Sequence, residues 1–145
     1  SLRMKPKLKL GLAAALVCLA LPLLSRLPKG MPWVAQYFPD EGYVLIAILF
    51  FGGCALVPAA VVLVAFLVSR GPRYWPGLFA AVTAFVMLAY WHHDNDLAAD
   101  AQSALTLVFI PLYVAAIAAA AAFLGWLLQV FAGKDRGPSP PDAKD

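Results

Sequence analysis

The sequence predicts an all-α integral membrane protein, a four-helix bundle with both termini in the cytoplasm. Three observations carry that prediction. Of the 145 residues, 63% are hydrophobic and only 13% are charged, against about 45–50% and about 25% in a soluble domain. The apolar residues gather in four runs, and a bilayer's hydrocarbon core asks for roughly 20 residues of each. The lysines and arginines fall on alternate connections, as the positive-inside rule requires of a chain that crosses four times.

Residues 1–7 form a basic cytoplasmic start, continued by Lys9; Met4 reads as the native start and residues 1–3 as an addition. The first span covers 8–24. A basic start followed by an apolar run also begins a signal peptide. This run is longer than an ordinary signal core, and Ser25-Arg26-Leu27-Pro28-Lys29 is a poor cleavage context, so an uncleaved span is expected. The second span covers 43–68 and ends at Ser69-Arg70-Gly71-Pro72-Arg73. The third, 75–91, is the shortest, about 26 Å at 1.5 Å per residue, and the fourth, 104–131, is about 40 Å long and has to tilt or protrude. These spans make 8–132 one transmembrane domain. The tail, 133–145, is proline-rich and polar and is expected to be disordered, since it cannot bury a core. Cys18 and Cys54 both lie in apolar runs and form no CxxC pair, so they read as small hydrophobic residues.

With four spans, Arg3, Lys5, Lys7, Lys9, Arg70, Arg73, Lys134, Arg136 and Lys144 share one side, and only Arg26 and Lys29 lie on the other. The rich side is the cytoplasmic one. Five of the eight acids, Asp40, Glu41, Asp94, Asp96 and Asp100, fall in the two outer loops. The net charge of +3 is then explained by topology and by anionic lipid, with no nucleic acid as partner.

Past Lys9, at the very start of the first span, no Asp, Glu, Lys, Arg or His lies within the four runs. Buried ionisable groups mark proton relays and ion paths, so a proton-coupled pump is not expected. Small multidrug transporters have four short helices too, but they depend on a carboxylate in the first helix, which this chain lacks. Small residues at Gly52 and Gly53, and at Ala118, Ala121, Ala122 and Gly125, are expected to pack helix on helix. Pro22, Pro58 and Pro111 interrupt spans one, two and four and are expected to kink them, with Thr106 placed to assist at Pro111.

Aromatic residues sit at the expected interfaces. Trp33, Tyr37 and Phe38, at i, i+4 and i+5, suit a short helix on the outer membrane surface and are the candidate partner-binding anchors, with Asp96 and Asp100 as charged companions. The polar cluster His92-His93-Asp94-Asn95-Asp96, with Asp100 and Ser103, is the candidate chemical site. On a helix beginning there, His93, Asp96 and Asp100 would share a face, and imidazole with carboxylate suits a divalent metal. His92, His93, Asp96 and Asp100 are therefore the candidate metal ligands. The competing reading makes them a capped loop: the histidines at the negative end of the third helix, the acids at the positive end of the fourth. No catalytic set, P-loop or nucleophile elbow is present, and no cofactor is expected.

The chain's general look resembles small alanine-rich bacterial inner-membrane proteins. The function expected from these features is non-enzymatic: helix and outer-loop contacts with a membrane or periplasmic protein partner, as an accessory subunit, an assembly factor or a toxin-immunity protein would make. The alternatives are a homo-oligomeric pore or transporter for an uncharged solute, and a metal or enzymatic site at the outer His/Asp loop.

Overall fold

The computed structural model describes residues 3–38, 44–71, 73–99 and 101–134. Asp40, Glu41, Tyr43 and Asp100 lie outside these residues, as does the tail from 135 onward. Among the described residues the chain is all-helical: α1 (Pro6–Leu24), a 3₁₀ turn (Leu27–Lys29), α2 (Met31–Ala35), α3 (Val44–Val68), α4 (Trp75–Asp94), a second 3₁₀ segment (Ala101–Leu105) and α5 (Thr106–Lys134). Four of these helices, α1, α3, α4 and α5, are long and apolar enough to cross a membrane. They are apolar on all sides, as lipid-facing helices are. Leu45, Ile46, Leu49 and Phe50 along α3 are largely exposed, which leaves apolar surface for a bilayer to cover.

α3 and α4 form the centre of the bundle. Both pack on α1, both pack on α5, and they pack on each other, so α1 and α5 lie at opposite flanks. Ala80, Ala84 and Leu88 recur every fourth residue along the buried stripe of α4, and Ile110, Val114 and Ala118 do so along α5. Repeats of four place side chains on one helix face, and alanines there let the backbones approach. Val62, Ala65 and Phe66 of α3 and Ala14 and Cys18 of α1 complete the core.

The tightest approaches occur at glycines. A Cβ on Gly77 would lie 2.5 Å from the ring of Phe66, one on Gly11 would lie 2.8 Å from Leu63 Cδ1, and one on Gly125 would lie 2.8 Å from the carbonyl oxygen of Trp75. Gly125 and Ala118 thus pack as their spacing suggests, while Ala121 and Ala122 are half-buried. Gly52 and Gly53 do not: a Cβ on either meets nothing within 4 Å. The expected packing contact is thus not made at either, both being exposed, and Gly52 borders a gap shared with the other long helices.

α4 is three residues longer than the apolar run, ending at Asp94 instead of residue 91. At 20 residues it is about 30 Å long, the thickness of a hydrocarbon core. The extension draws His92 and His93 into the helix, where their Nδ1 atoms meet Tyr37 Oη and Ser25 O. Pro111 lies inside α5, but Thr106 Oγ1 donates to the carbonyl of Ser103 instead of assisting the kink.

At the Lys7 end, Lys7 Nζ donates to the carbonyl of Ser69 at 3.0 Å, and a cation there favours the C-terminal end of α3. Ser69 Oγ donates to Ala65 O at 2.7 Å and accepts from Gly77 N at 3.1 Å, which joins the end of α3 to the start of α4.

The glycine geometry gives two substitutions of opposite sign. Gly125→Ala is expected to destabilise the bundle by about 1–3 kcal/mol, the usual cost of overpacking. Gly53→Ala is expected to be neutral or to stabilise by up to about 1 kcal/mol through helix propensity. Reversible unfolding in mixed micelles measures both, and equal losses would contradict the packing described.

Candidate functional site

The site is assembled at the end of the bundle where α1 turns into α2 and α4 ends. α1 closes with Ser25 N donating to Leu21 O and Arg26 N to Leu23 O. Gly30 then adopts φ of +100°, a region that side chains disfavour, and Pro32 sits in the first turn of α2. This tight reversal places α2 and the turn after it, residues 31–38, against the C-terminal end of α4.

Arg26 holds these pieces together. It is fully buried, at 0% exposure. Its Nε donates to Trp33 O at 2.9 Å, one terminal nitrogen donates to His92 O at 2.8 Å and to Asn95 O, and the other donates to Gln36 Oε1 at 2.9 Å. The guanidinium also lies 4.5 Å from the ring centre of Trp33 and 4.0 Å from that of Tyr37. Arginine's planar fork suits such a junction, because it can serve several acceptors at once and stack on aromatic faces. A cation at the last carbonyls of α4 is also favoured by the helix dipole. A buried charge without partners would cost several kcal/mol; here the carbonyls and the two rings supply them.

The remaining polar groups form a second layer. Trp33 Nε1 donates to His93 O at 3.0 Å. Gln36 Nε2 donates to Asp96 Oδ1 at 3.1 Å, and its Oε1 accepts from Leu97 N at 3.2 Å. His93 Nδ1 lies 2.7 Å from Ser25 O, so Nδ1 carries the hydrogen. Lys29 and Asp94 form an exposed ion pair at 3.1 Å, a type worth little to stability.

The predicted site residues are therefore used differently from expectation. α4 ends at Asp94 and residues 95–99 are not helical, so His93 and Asp96 do not share a helix face. Asp96 Oδ1 instead accepts from Ala98 N at 3.0 Å in its own turn. Among the described residues no group of three or more His, Cys, Asp and Glu is placed to hold a metal ion, and Asp100 lies outside them. Trp33 and Tyr37 are half-buried around Arg26, whereas Phe38 is 54% exposed. Arg26 itself reads in the sequence as no more than a loop charge. Its one sequence signal is the pair of aromatics at Trp33 and Tyr37, spaced to face a common cation.

Beneath this layer lies an apolar pocket of about 300 Å³. Its walls come from all four long helices: Cys18 and Pro22 of α1, Ala55 and Pro58 of α3, Leu88 of α4, and Leu107 and Pro111 of α5. All three helix-interior prolines line it. Proline has no N–H to donate to the carbonyl four residues earlier and its ring crowds that carbonyl, and the three prolines meet at the level of this gap. The exposed Phe38 and Ile48 belong to the lining, so the pocket opens on the bundle's side.

His92 and Tyr37 supply the pocket's polar edge. Tyr37 Oη lies 2.7 Å from His92 Nδ1 and accepts from Asn95 Nδ2 at 3.0 Å. Burial pushes the Tyr37 hydroxyl above its ordinary pKa, against the opposing pull of the Asn95 hydrogen bond and the Arg26 charge, so it is protonated at neutral pH. His92 is 2% exposed. Its Nε2 is the one shielded side-chain polar atom among the described residues without a partner.

Comparison with family models, with curated proteins and with solved structures gives no match.

Replacing Arg26 tests the polar layer. Arg26→Met strands the carbonyls of His92, Asn95 and Trp33, and a buried acceptor left unmade costs about 1–3 kcal/mol. Thermal unfolding in detergent is expected to show a loss of at least that size. Lys29→Met, which removes only the exposed pair, is expected to fall within about 1 kcal/mol of wild type.

Proposed function

We propose that this chain is a multi-pass protein of the inner (plasma) membrane, with both termini cytoplasmic, that works by binding rather than by catalysis. Its ligand site is the apolar pocket at the outer, Arg26, end of the bundle. The observation that carries this reading is the pocket's construction. Side chains from four helices and three helix-bending prolines surround a gap of about 300 Å³, at the small end of ligand pockets. One imidazole and one phenol edge an otherwise apolar lining, which suits holding a ligand more than activating one. The side opening lets an apolar ligand enter from the bilayer.

A photo-reactive acyl chain bearing a diazirine tests the site. Saturable labelling of peptides containing Cys18–Leu23 and Phe51–Pro58 is expected. Ala55→Phe, which fills the pocket, is expected to weaken labelling roughly tenfold, or about 1.4 kcal/mol. Labelling that is unsaturable and spread over all lipid-facing peptides would contradict a ligand site.

A second reading, contact with a partner protein's helix, rests on the open surface at Gly53 and on the exposed Phe38. Gly53→Leu is the variant that separates the two: it would disturb a helix–helix contact and leave pocket labelling unchanged.

The topology follows from nine basic residues on one side against two on the other. In a background lacking Cys18 and Cys54, an impermeant thiol reagent is expected to label Ala98→Cys in intact cells and to reach Ser139→Cys only after lysis. Labelling of Ser139→Cys in intact cells would reverse the orientation.

A further inference from the structure

The end of the bundle away from Arg26 is charged with one sign. Lys5, Lys7, Lys9, Arg70, Arg73 and Lys134 lie there, while the acids among the described residues, Asp94 and Asp96, both lie at the Arg26 end. Asp135, next after Lys134, lies outside the described residues. Between the α3–α4 connection and the last turns of α5 this end holds a cleft of about 200 Å³, bordered by Arg70, Gly71, Arg73 and Trp75 on one side and by Gln129 and Gly133 on the other. Gln129 Nε2 donates to the carbonyl of Arg70, which ties the two walls together. One turn before Gln129, Gly125 packs on the backbone of Trp75, where the walls meet.

Two guanidiniums are the chemistry this cleft offers. Both arginines are exposed, and neither guanidinium has a hydrogen-bond or ion-pair partner among the described residues. Arg73 Cζ lies 5.6 Å from the ring centre of Trp75, a contact that leaves its N–H donors unspent. Long side chains rooted on one rim can bring both forks to a common anion. Lys7 Nζ, bonded to Ser69 O at 3.0 Å, stands beside Arg70, and Lys134 follows Gly133. Like charges gathered in this way repel, and an anion between them relieves the repulsion. The helix ends offset one another, since α5 brings its negative end and α4 its positive end, so the side chains set the sign. Apolar surface continues from the cleft: Leu128, one turn before Ala132, is exposed, and Phe79, one turn after Trp75, stacks on it with ring centres 6.5 Å apart. Residues four apart share a helix face.

We propose that this cleft binds a phosphate ester of net negative charge, with Arg70 and Arg73 donating to its oxygens. The apolar continuation favours an anionic phospholipid, its phosphate at the membrane boundary and its chains along Leu128 and the Trp75–Phe79 pair. A zwitterionic headgroup brings the same phosphate with a cation, and no carboxylate borders the cleft to receive that cation. The site is separate from the pocket at the Arg26 end and does not depend on it.

Native mass spectrometry of the full chain, released from neutral detergent, counts bound lipids and tests the site. Wild type is expected to bind its first phosphatidylglycerol roughly ten- to thirtyfold more tightly than phosphatidylcholine, as two basic residues near a membrane surface imply. The double variant Arg70→Gln, Arg73→Gln is expected to lose most of that preference and to unfold as wild type does, because neither side chain bonds within the fold. Lys5→Gln with Lys9→Gln removes the same charge from the same end, away from the cleft, and is expected to keep the preference. Ala132→Phe keeps every charge but crowds the cleft, which Ala132 also borders, and is expected to weaken phosphatidylglycerol binding severalfold. Glycerol 3-phosphate separates the sources: displacement of the lipid at equal concentration identifies a soluble ester as the ligand, and no displacement identifies the phospholipid. Either result supports the phosphate site. Equal binding of the two lipids by wild type, a preference that survives loss of both arginines, or the same loss in the lysine and arginine pairs would overturn it and leave only diffuse charge.

Discussion

A single buried guanidinium organises one end of this molecule. Arg26 follows the last turn of α1, yet its donors are spent on Trp33, Gln36, His92 and Asn95, which lie on two segments that Trp33–His93, Gln36–Asp96 and Tyr37–His92 hydrogen bonds also join. α2 is only five residues long and has no stability of its own in isolation. It is held because its aromatic side chains flank the cation and its carbonyl accepts from it. The end of α4 is held in the same way: its free carbonyls find an arginine instead of water. α4 therefore continues to Asp94, and the ring of His92 is fixed at the pocket's edge. A lysine would reach fewer of these acceptors, since its ammonium has three donors and no planar face.

Shape and polarity at this end come from separate parts of the sequence. The prolines of α1, α3 and α5 line the gap, while the Arg26 layer roofs it and holds the backbone of His92 and Asn95. Below, the core closes again on alanines and valines, with Ala80, Ala84, Val62 and Val114 fully buried. The tight glycine contacts at Gly11, Gly77 and Gly125 all lie toward the other end.

The four long helices were legible in the apolar runs, with ends within a few residues, because a run of that length has one stable structure in lipid. The His93–Asp96–Asp100 face was legible only on the assumption of a helix that the chain does not form; Asp96 finds a nearer donor in its own turn. Gly52 and Gly53 resemble packing residues in the sequence because adjacency says nothing of which face turns inward. Gly77 and Gly125 are needed where two particular backbones meet, and that is known only once the helices are placed. Arg26 was the least legible residue of all. A charge just past an apolar run reads as solvated, and its partners at His92 and Asn95 stand 66 and 69 residues away, beyond any local pattern. The prolines were expected as kinks, but their convergence on one gap is a property of the bundle.

The burial of Arg26 underlies everything at this end, and side-chain hydrogen exchange reads it directly. The arginine Nε–H of each residue gives its own signal in an ¹⁵N-labelled sample. Arg26 Nε–H, bonded to Trp33 O at 2.9 Å in a site of 0% exposure, is expected to exchange orders of magnitude more slowly than those of Arg70 and Arg73, which are exposed. Exchange of Arg26 at the rate of Arg70 and Arg73 would mean that the guanidinium stands in water, and the roof of the pocket, with the order it imposes on α2 and α4, would fall with it.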